Sequence, residues 1–262
     1  MNASPDPATD YVLDPALESA LSRLAQAQRI LVALDFDGTL APTVDDPDEA
    51  RSLPAAREAA SALAAEPGVF LALVSGRGID SLRRVTDAPP EVLLAGSHGA
   101  EYLINGDHSG LRLTDTHTTS LKAIKELLDD VAAAAPGAWI ETKAYGYALH
   151  TRLTEPHRAR DAEATARSLG GVTLRHGKDV LEFSVVDATK RHALTHLQEI
   201  THADATLFAG DDVTDEDGFA ALGTGDVGIK VGDGPTLASN RIPNLEYMPA
   251  VLRALLRLRR GR

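Results

Sequence analysis

Residues 30–46 read ILVALDFDGTLAPTVDD, and the order of residue types in this stretch decides the fold. Five uninterrupted apolar residues, Ile30–Leu34, suit a strand buried on both faces, as in a parallel sheet covered by helices. Asp35 and Asp37 follow at once, and Gly38-Thr39 supplies a turn. Ligands of open α/β sheets gather at the carboxyl ends of strands, so both acids face the expected crevice. Two carboxylates in an apolar setting repel, and a hard divalent cation with oxygen ligands, Mg2+ above all, relieves that repulsion. The competing reading is a plain solvated turn, since Asp-Gly pairs are common turn formers.

Outward from this stretch, apolar runs bounded by turn residues alternate with helical periodicity. Strands are expected at 69–74, 92–95, 206–209 and 227–231, and helices at 15–28, 54–65, 80–85, 190–200 and 249–259. Such alternation gives a doubly wound, mostly parallel, Rossmann-like α/β core. The middle of the chain reads differently. A helix over 119–135 leads into a strand pair turning at Tyr145-Gly146. A helix over 155–169 precedes a second pair turning at His176-Gly177-Lys178-Asp179. Strand pairs on short turns imply an antiparallel sheet with helices on one face. The expected organisation is a core of residues 1–112 and 185–262 carrying a smaller inserted α+β cap, 113–184. The cap closes as a lid on hinges near 106–112 and 184–187. Residues 1–8 are expected to be unstructured.

Composition bounds the partners. The 262 residues, 44% hydrophobic and 24% charged, are those of an ordinary globular chain. The formal net charge of −12, from 26 basic and 38 acidic residues, makes nucleic acid a poor partner, because phosphate neutralisation dominates that affinity. No apolar run reaches the roughly 20 residues of a membrane span, and no secretory signal is evident. Cysteine is absent, which removes disulfides, thiolate metal sites and a thiol nucleophile, and fits a cytoplasmic protein.

Three further motifs stand at strand ends. The run 206–209 empties into GDDVTDEDGF, so Asp211 and Asp212 follow a buried strand, and Asp215 opens a helix. A strand ending in two adjacent acids is costly without a cation. In VFLALVSGRGIDSL, residues 69–82, Ser75 ends a strand, while Gly76 and Gly78 free the backbone before a helix. That offers a hydroxyl and N–H groups to a phosphoryl oxygen. Lys190 follows the helix cap Asp187-Ala188-Thr189, where a solvated lysine is the default.

The order strand-DxDGT, strand-SGR, insert, Lys, strand-GDDxxD resembles the haloacid-dehalogenase superfamily of phosphotransferases. AGSHGAEYL (95–103), ETKAYGYALHTR (141–152) and GKDVLEFSVVDATK (177–190) narrow the likeness to trehalose-6-phosphate phosphatases. The resemblance implies that Asp35 is the nucleophile forming an aspartyl-phosphate, and that Asp37 is the general acid and base. It implies Mg2+ on the Asp35 and Asp211 carboxylates and the Asp37 carbonyl, with Asp212 and Asp215 supporting these ligands. Ser75 and Lys190 would neutralise phosphoryl oxygens, with Gly38, Thr39, Gly76 and Arg77 around them. Sugar contacts are assigned to Glu141, Lys143, Lys178 and Glu182, followed by His98 and Glu101. A strand pair carrying carboxylates and ammonium groups independently suits a polyhydroxylated ligand, although surface ion pairs are its bland alternative. Phe36 and the proline-free approach to Lys190 depart from the family pattern.

Trehalose 6-phosphate is thus the implied substrate, with a functional link to a trehalose-phosphate synthase. A sucrose-phosphate or mannosyl-phosphoglycerate phosphatase is the nearer alternative, and a catalytically idle regulatory domain the more distant one.

Overall fold

Asp14 caps the first helix, α1 (Pro15–Ala25), by accepting from the Ala16 N–H at 2.8 Å, with Pro15 at the first helical position. The computed structural model describes residues 12–44, 46–168, 172–177 and 179–262. Residues 1–8, Leu169 and Lys178, on which expectations were placed, lie outside these.

β1 (Ile30–Leu34) follows, buried along its whole length. Then come α2 (Pro54–Ala64), β2 (Val69–Val74), α3 (Ile79–Thr86), β3 (Leu93–Gly96), β4 (Glu101–Ile104) and β5 (Asp107–Gly110). The middle supplies α4 (Asp115–Ala134), β6 (Trp139–Lys143), β7 (Gly146–His150), α5 (Pro156–Ala166), β8 (Thr173–Gly177) and β9 (Val180–Ser184). The last part holds α6 (Lys190–Thr201), β10 (Ala205–Gly210), α7 (Asp215–Phe219), β11 (Val227–Val231), β12 (Asn240–Ile242) and α8 (Met248–Arg260). By contacts the chain splits into two compact units, Met1–Ser109 with Thr189–Arg262, and Gly110–Ala188.

The first unit is an eight-stranded sheet in the order β12-β11-β10-β1-β2-β3-β4-β5. From β12 to β3 neighbouring strands are parallel, and β4 returns antiparallel to β3. One face packs Ile30, Val32 and Leu34 of β1 against α1, α2, α3 and α8; the other packs Leu31 and Ala33 against α6 and α7. The doubly wound architecture is therefore present. Arg259 fastens α8 to the start of β1. Its guanidinium donates to the Ala25, Ala27, Gln28 and Pro67 carbonyls, at the end of α1 and in the turns that precede β1 and β2.

Chain order reverses beside β1, which pairs with β2 on one side and β10 on the other. This is the switch point at which open α/β sheets bind ligands. The ladder extends one residue further, with the Asp35 N–H donating to the Ala209 carbonyl at 2.9 Å.

The second unit is an antiparallel sheet, β6-β7-β9-β8, with α4 and α5 on one face. Leu149, Leu181 and Phe183 point into that face, so the alternate residues Glu141, Lys143, His150, Glu182 and Arg175 share the other.

Several expectations are corrected. α1 ends at Ala25, because Gln26 closes it on the Arg23 and Leu24 carbonyls. α4 begins at Asp115, since Thr114 accepts from the His117 N–H and the His117 ring accepts from the Thr114 N–H. The segment 106–112 holds β5 at the sheet edge beyond β4, and the boundary between the two units, Ser109/Gly110, falls within it.

Candidate active site

The loop after β1 sets the geometry. Gly38 has φ +83°, and a Cβ there would lie 2.1 Å from Asp211 Oδ2, so both conformation and space demand glycine. The buried Thr39 hydroxyl donates to Asp211 Oδ1 at 3.1 Å. Gly38 and Thr39 thus join the loop after β1 to the loop after β10.

Lys190, at the first position of α6, is 2% exposed. Its Nζ donates to Asp35 Oδ1 and to Asp215 Oδ1, each at 2.6 Å. The solvated lysine of the default reading is a buried ion-pair centre. Asp215 is fully buried, and its Oδ2 also accepts from the Asp212 N–H at 2.8 Å, while the Asp212 side chain is exposed. Asp35, Asp211 and Asp215 each bring a carboxylate oxygen within 4.8 Å of the others. The carboxylate group able to hold a cation therefore includes Asp215, which the sequence placed only behind the ligands.

Burial raises the Asp35 carboxyl well above the usual carboxylate range, opposed by Lys190 and reinforced by Asp215 and Asp211. Burial and the Asp215 charge push Asp211 up to about 6, against its bond from Thr39 and the charge of Lys190. Burial works against the Lys190 ammonium, but the two carboxylates overcome it and hold the proton. Three gathered carboxylates and one ammonium leave excess negative charge in a water-poor site. A divalent cation fits that donor set.

Lys230, on β11 and 4% exposed, was not foreseen. Its Nζ donates to the Asp211 carbonyl at 2.5 Å and the Asp212 carbonyl at 3.4 Å, steadying the acid-bearing loop. An isolated lysine in an apolar strand was the available signal.

Ser75 is buried at the end of β2, beside Gly76. A Cβ on Gly76 would stand 2.7 Å from the His98 ring, so the glycine makes room for the histidine. Ser97 and His98 both adopt left-handed conformations (φ 48° and 59°), at roughly 1–2 kcal/mol each. Hydrogen bonds from Ser97 N to the Arg77 carbonyl and from His98 N to the Ser75 carbonyl hold them there. Glu101 is engaged within the chain. Its Oε1 accepts from the Ile79 N–H and the Ser97 hydroxyl, and its Oε2 faces His108 at 3.4 Å. Glu101 thereby caps α3. Arg77 pairs with Asp37, Nε to Oδ2 at 2.6 Å and Nη2 to Oδ1 at 2.8 Å.

On the polar face of the second sheet, Lys143 Nζ donates to Glu182 Oε2 at 2.8 Å, and Arg175 Nη1 lies 4.0 Å from Glu182 Oε1. Glu141 meets His150 at 3.0 Å, and His150 stacks on Trp139 with ring centroids 3.8 Å apart. Burial opposes ionisation of Glu141, yet the His150 hydrogen bond and the Lys143 charge outweigh it and hold its carboxyl below the usual range. Arg175, His150 and Trp139 were missed, because they join the cluster only through cross-strand register.

A doubly wound sheet with this acid and lysine constellation at its switch point defines a haloacid-dehalogenase-type fold. The trehalose-phosphatase family model matches residues 33–241. The trehalose-6-phosphate phosphatase of Escherichia coli is 34% identical over 215 residues, 79% of this chain and 79% of that protein. A bifunctional trehalose-6-phosphate synthase/phosphatase of Thermoproteus tenax is 31% identical over 252 residues, 94% of this chain but 34% of that protein. Several mycobacterial relatives are likewise covered over only about half their length. Among solved structures, the C-terminal domain of C. albicans trehalose-6-phosphate phosphatase superimposes with a TM-score of 0.81 at 21% identity, covering 94% of this chain and 98% of that one; this likeness is of fold alone. The chain belongs to the trehalose-phosphatase family.

Proposed function

We propose that this chain hydrolyses trehalose 6-phosphate to trehalose and inorganic phosphate through an aspartyl-phosphate, with Mg2+ as cofactor. The observation that carries the reading is Asp35, buried at the switch point and held at 2.6 Å by Lys190 within a cluster of acids, in a member of this family.

An Asp35 oxygen attacks phosphorus. The P–O ester bond breaks, and its electron pair goes to the sugar oxygen, which takes the proton carried by Asp37. Water then attacks the aspartyl-phosphate and gives its proton to Asp37. The bond to Asp35 breaks, restoring the carboxylate and releasing phosphate. Ser75, Lys190 and the N–H groups around Gly76 offset charge on the phosphoryl oxygens. Asp215 keeps Lys190 in place. Asp35, Asp211 and the Asp37 carbonyl would hold Mg2+, which when bound offsets charge on the transferring phosphoryl group.

The inserted unit is the module that selects the sugar, with Glu141, Lys143 and Glu182 offering donors and acceptors to hydroxyls. Lys178 belongs to the same assignment on its sequence alone. No helix among the described residues is long and apolar enough to cross a membrane. A cytoplasmic site and a functional link to a trehalose-phosphate synthase complete the proposal. The bifunctional Thermoproteus relative supports that link.

The test is phosphate release from trehalose 6-phosphate, sucrose 6-phosphate and mannosyl-phosphoglycerate, by wild type and by Asp35→Asn. Trehalose 6-phosphate should be the preferred ester, and Asp35→Asn should lose at least about 10³-fold in turnover. Retained turnover in Asp35→Asn eliminates the covalent step. Absence of Mg2+-dependent release from every ester leaves an idle domain.

A further inference from the structure

We infer that Arg77 is a positioning residue for Asp37, fixing the carboxylate that serves the leaving-group oxygen, and is not a ligand of the substrate. The inference rests on the general acid–base role proposed for Asp37. It replaces the substrate contact that the sequence assigned to Arg77.

All three guanidinium nitrogens are engaged within the chain. Nε and Nη2 grip the two oxygens of Asp37 at 2.6 and 2.8 Å. Nη1 donates to the Pro47 carbonyl at 2.7 Å and reaches the Ser81 hydroxyl at 3.3 Å. The guanidinium carbon stands 5.7 Å from the centre of the Phe36 ring, and Phe36 is the residue between the two acids. The Arg77 backbone is tied as well, its N–H to Ser75 Oγ at 3.1 Å and its carbonyl to the Ser97 N–H at 2.7 Å.

A fork-to-fork pair fixes the plane of a carboxylate, which a point charge cannot do. It uses one lone pair on each oxygen and leaves the second for proton transfer. The Asp37 side chain is 34% exposed and that of Arg77 only 11%, so the arginine is the anchored member of the pair. Ser75, Arg77 and Asp37 thereby connect the end of β2 to the loop after β1. The arginine of the SGR motif acts on the reaction through the acid.

Esters with different leaving groups separate this role from a structural one. The value of kcat/KM covers events up to release of the first product. A sugar alkoxide needs a proton to leave, whereas p-nitrophenolate leaves without one. Water activation, common to both esters, affects only kcat.

The experiment compares wild type, Arg77→Gln, Arg77→Lys and Asp37→Asn on trehalose 6-phosphate and p-nitrophenyl phosphate, with circular dichroism as the check on folding. For both Arg77 variants, kcat/KM on the sugar ester should fall about 10- to 100-fold, within the range of general acid catalysis. On the aryl ester kcat/KM should fall at least tenfold less, while kcat falls on both. Arg77→Lys keeps the charge but loses the fork, so it should not restore the wild-type ratio. Equal losses of kcat/KM on both esters, or no loss on either, overturn the inference. Asp37→Asn is the control on the reading beneath it. If that variant shows no leaving-group selectivity, the role of Asp37 fails; if it does and the Arg77 variants do not, only the role of Arg77 fails.

Discussion

Replacing Lys190 with methionine removes the ammonium between Asp35 and Asp215 and keeps an unbranched stem of similar length. All three side chains are buried, and Nζ stands 2.6 Å from both acids. Removing one partner of a buried ion pair costs about 3–5 kcal/mol, because the remaining charge is left uncompensated. Protonation sets a ceiling on that cost. Neutralising a carboxyl of ordinary value 3.8 at pH 7.5 takes about 5 kcal/mol, at about 1.4 kcal/mol per pH unit. At pH 5.0 the same ceiling is only about 2 kcal/mol. Urea unfolding in EDTA at both pH values measures the difference. Circular dichroism follows both units, while Trp139, the single tryptophan, reports on the Gly110–Ala188 unit. The dichroism transition should weaken by about 3–5 kcal/mol at pH 7.5 and by about 2 kcal/mol or less at pH 5.0. Adding Asp215→Asn should recover part of the loss. A destabilisation under about 1 kcal/mol at pH 7.5, or one of equal size at both pH values, refutes the reasoning.

Asp211, pushed up to about 6 from 3.8, binds more protons folded than unfolded between those values, so its contribution to stability is lost as pH rises through 6. In EDTA it should make the protein about 1 kcal/mol less stable at pH 7.5 than at pH 5, roughly 2–4 °C by calorimetry, with Asp35 acting in the same direction. A melting temperature that climbs across that window contradicts this. Lys143→Met should raise KM for trehalose 6-phosphate by about tenfold or more, through loss of a charged hydrogen bond, and should cost about 1–3 kcal/mol of stability, because the mostly buried Glu182 carboxylate loses its close partner. An unchanged KM removes Lys143 from the sugar site.

Legibility in the sequence followed local chemistry. β1 and β2 end where their apolar runs end, because a strand buried on both faces has no period to blur. β4 and β5 were missed although Asn105-Gly106 is a hairpin signal, since the partly buried residues of β4 and the exposed polar residues of β5 read as loop. β12, three residues at the sheet edge, has too little pattern to announce itself. Asp35 and Asp211 were readable as acids at the ends of apolar runs. The burial of Lys190 between two carboxylates, the grip of Arg77 on Asp37 and the place of Lys230 under the acid loop were not. Each joins residues at least 18 positions apart, and only the folded sheet brings them together.

The pairing of β1 with β10 has a consequence for biosynthesis. At a translation rate of 5–20 residues per second, Ile30–Leu34 emerges roughly 9–35 s before Ala205–Gly210 has been made. During that interval one flank of a strand apolar on both sides has no permanent neighbour, while some eighty intervening residues, Gly110–Ala188, are synthesised. Nascent chains stalled between these segments therefore present to chaperones an unpaired backbone edge flanked by aliphatic side chains. That edge is occupied only once the aspartate-bearing loop beyond Gly210 is due from the ribosome.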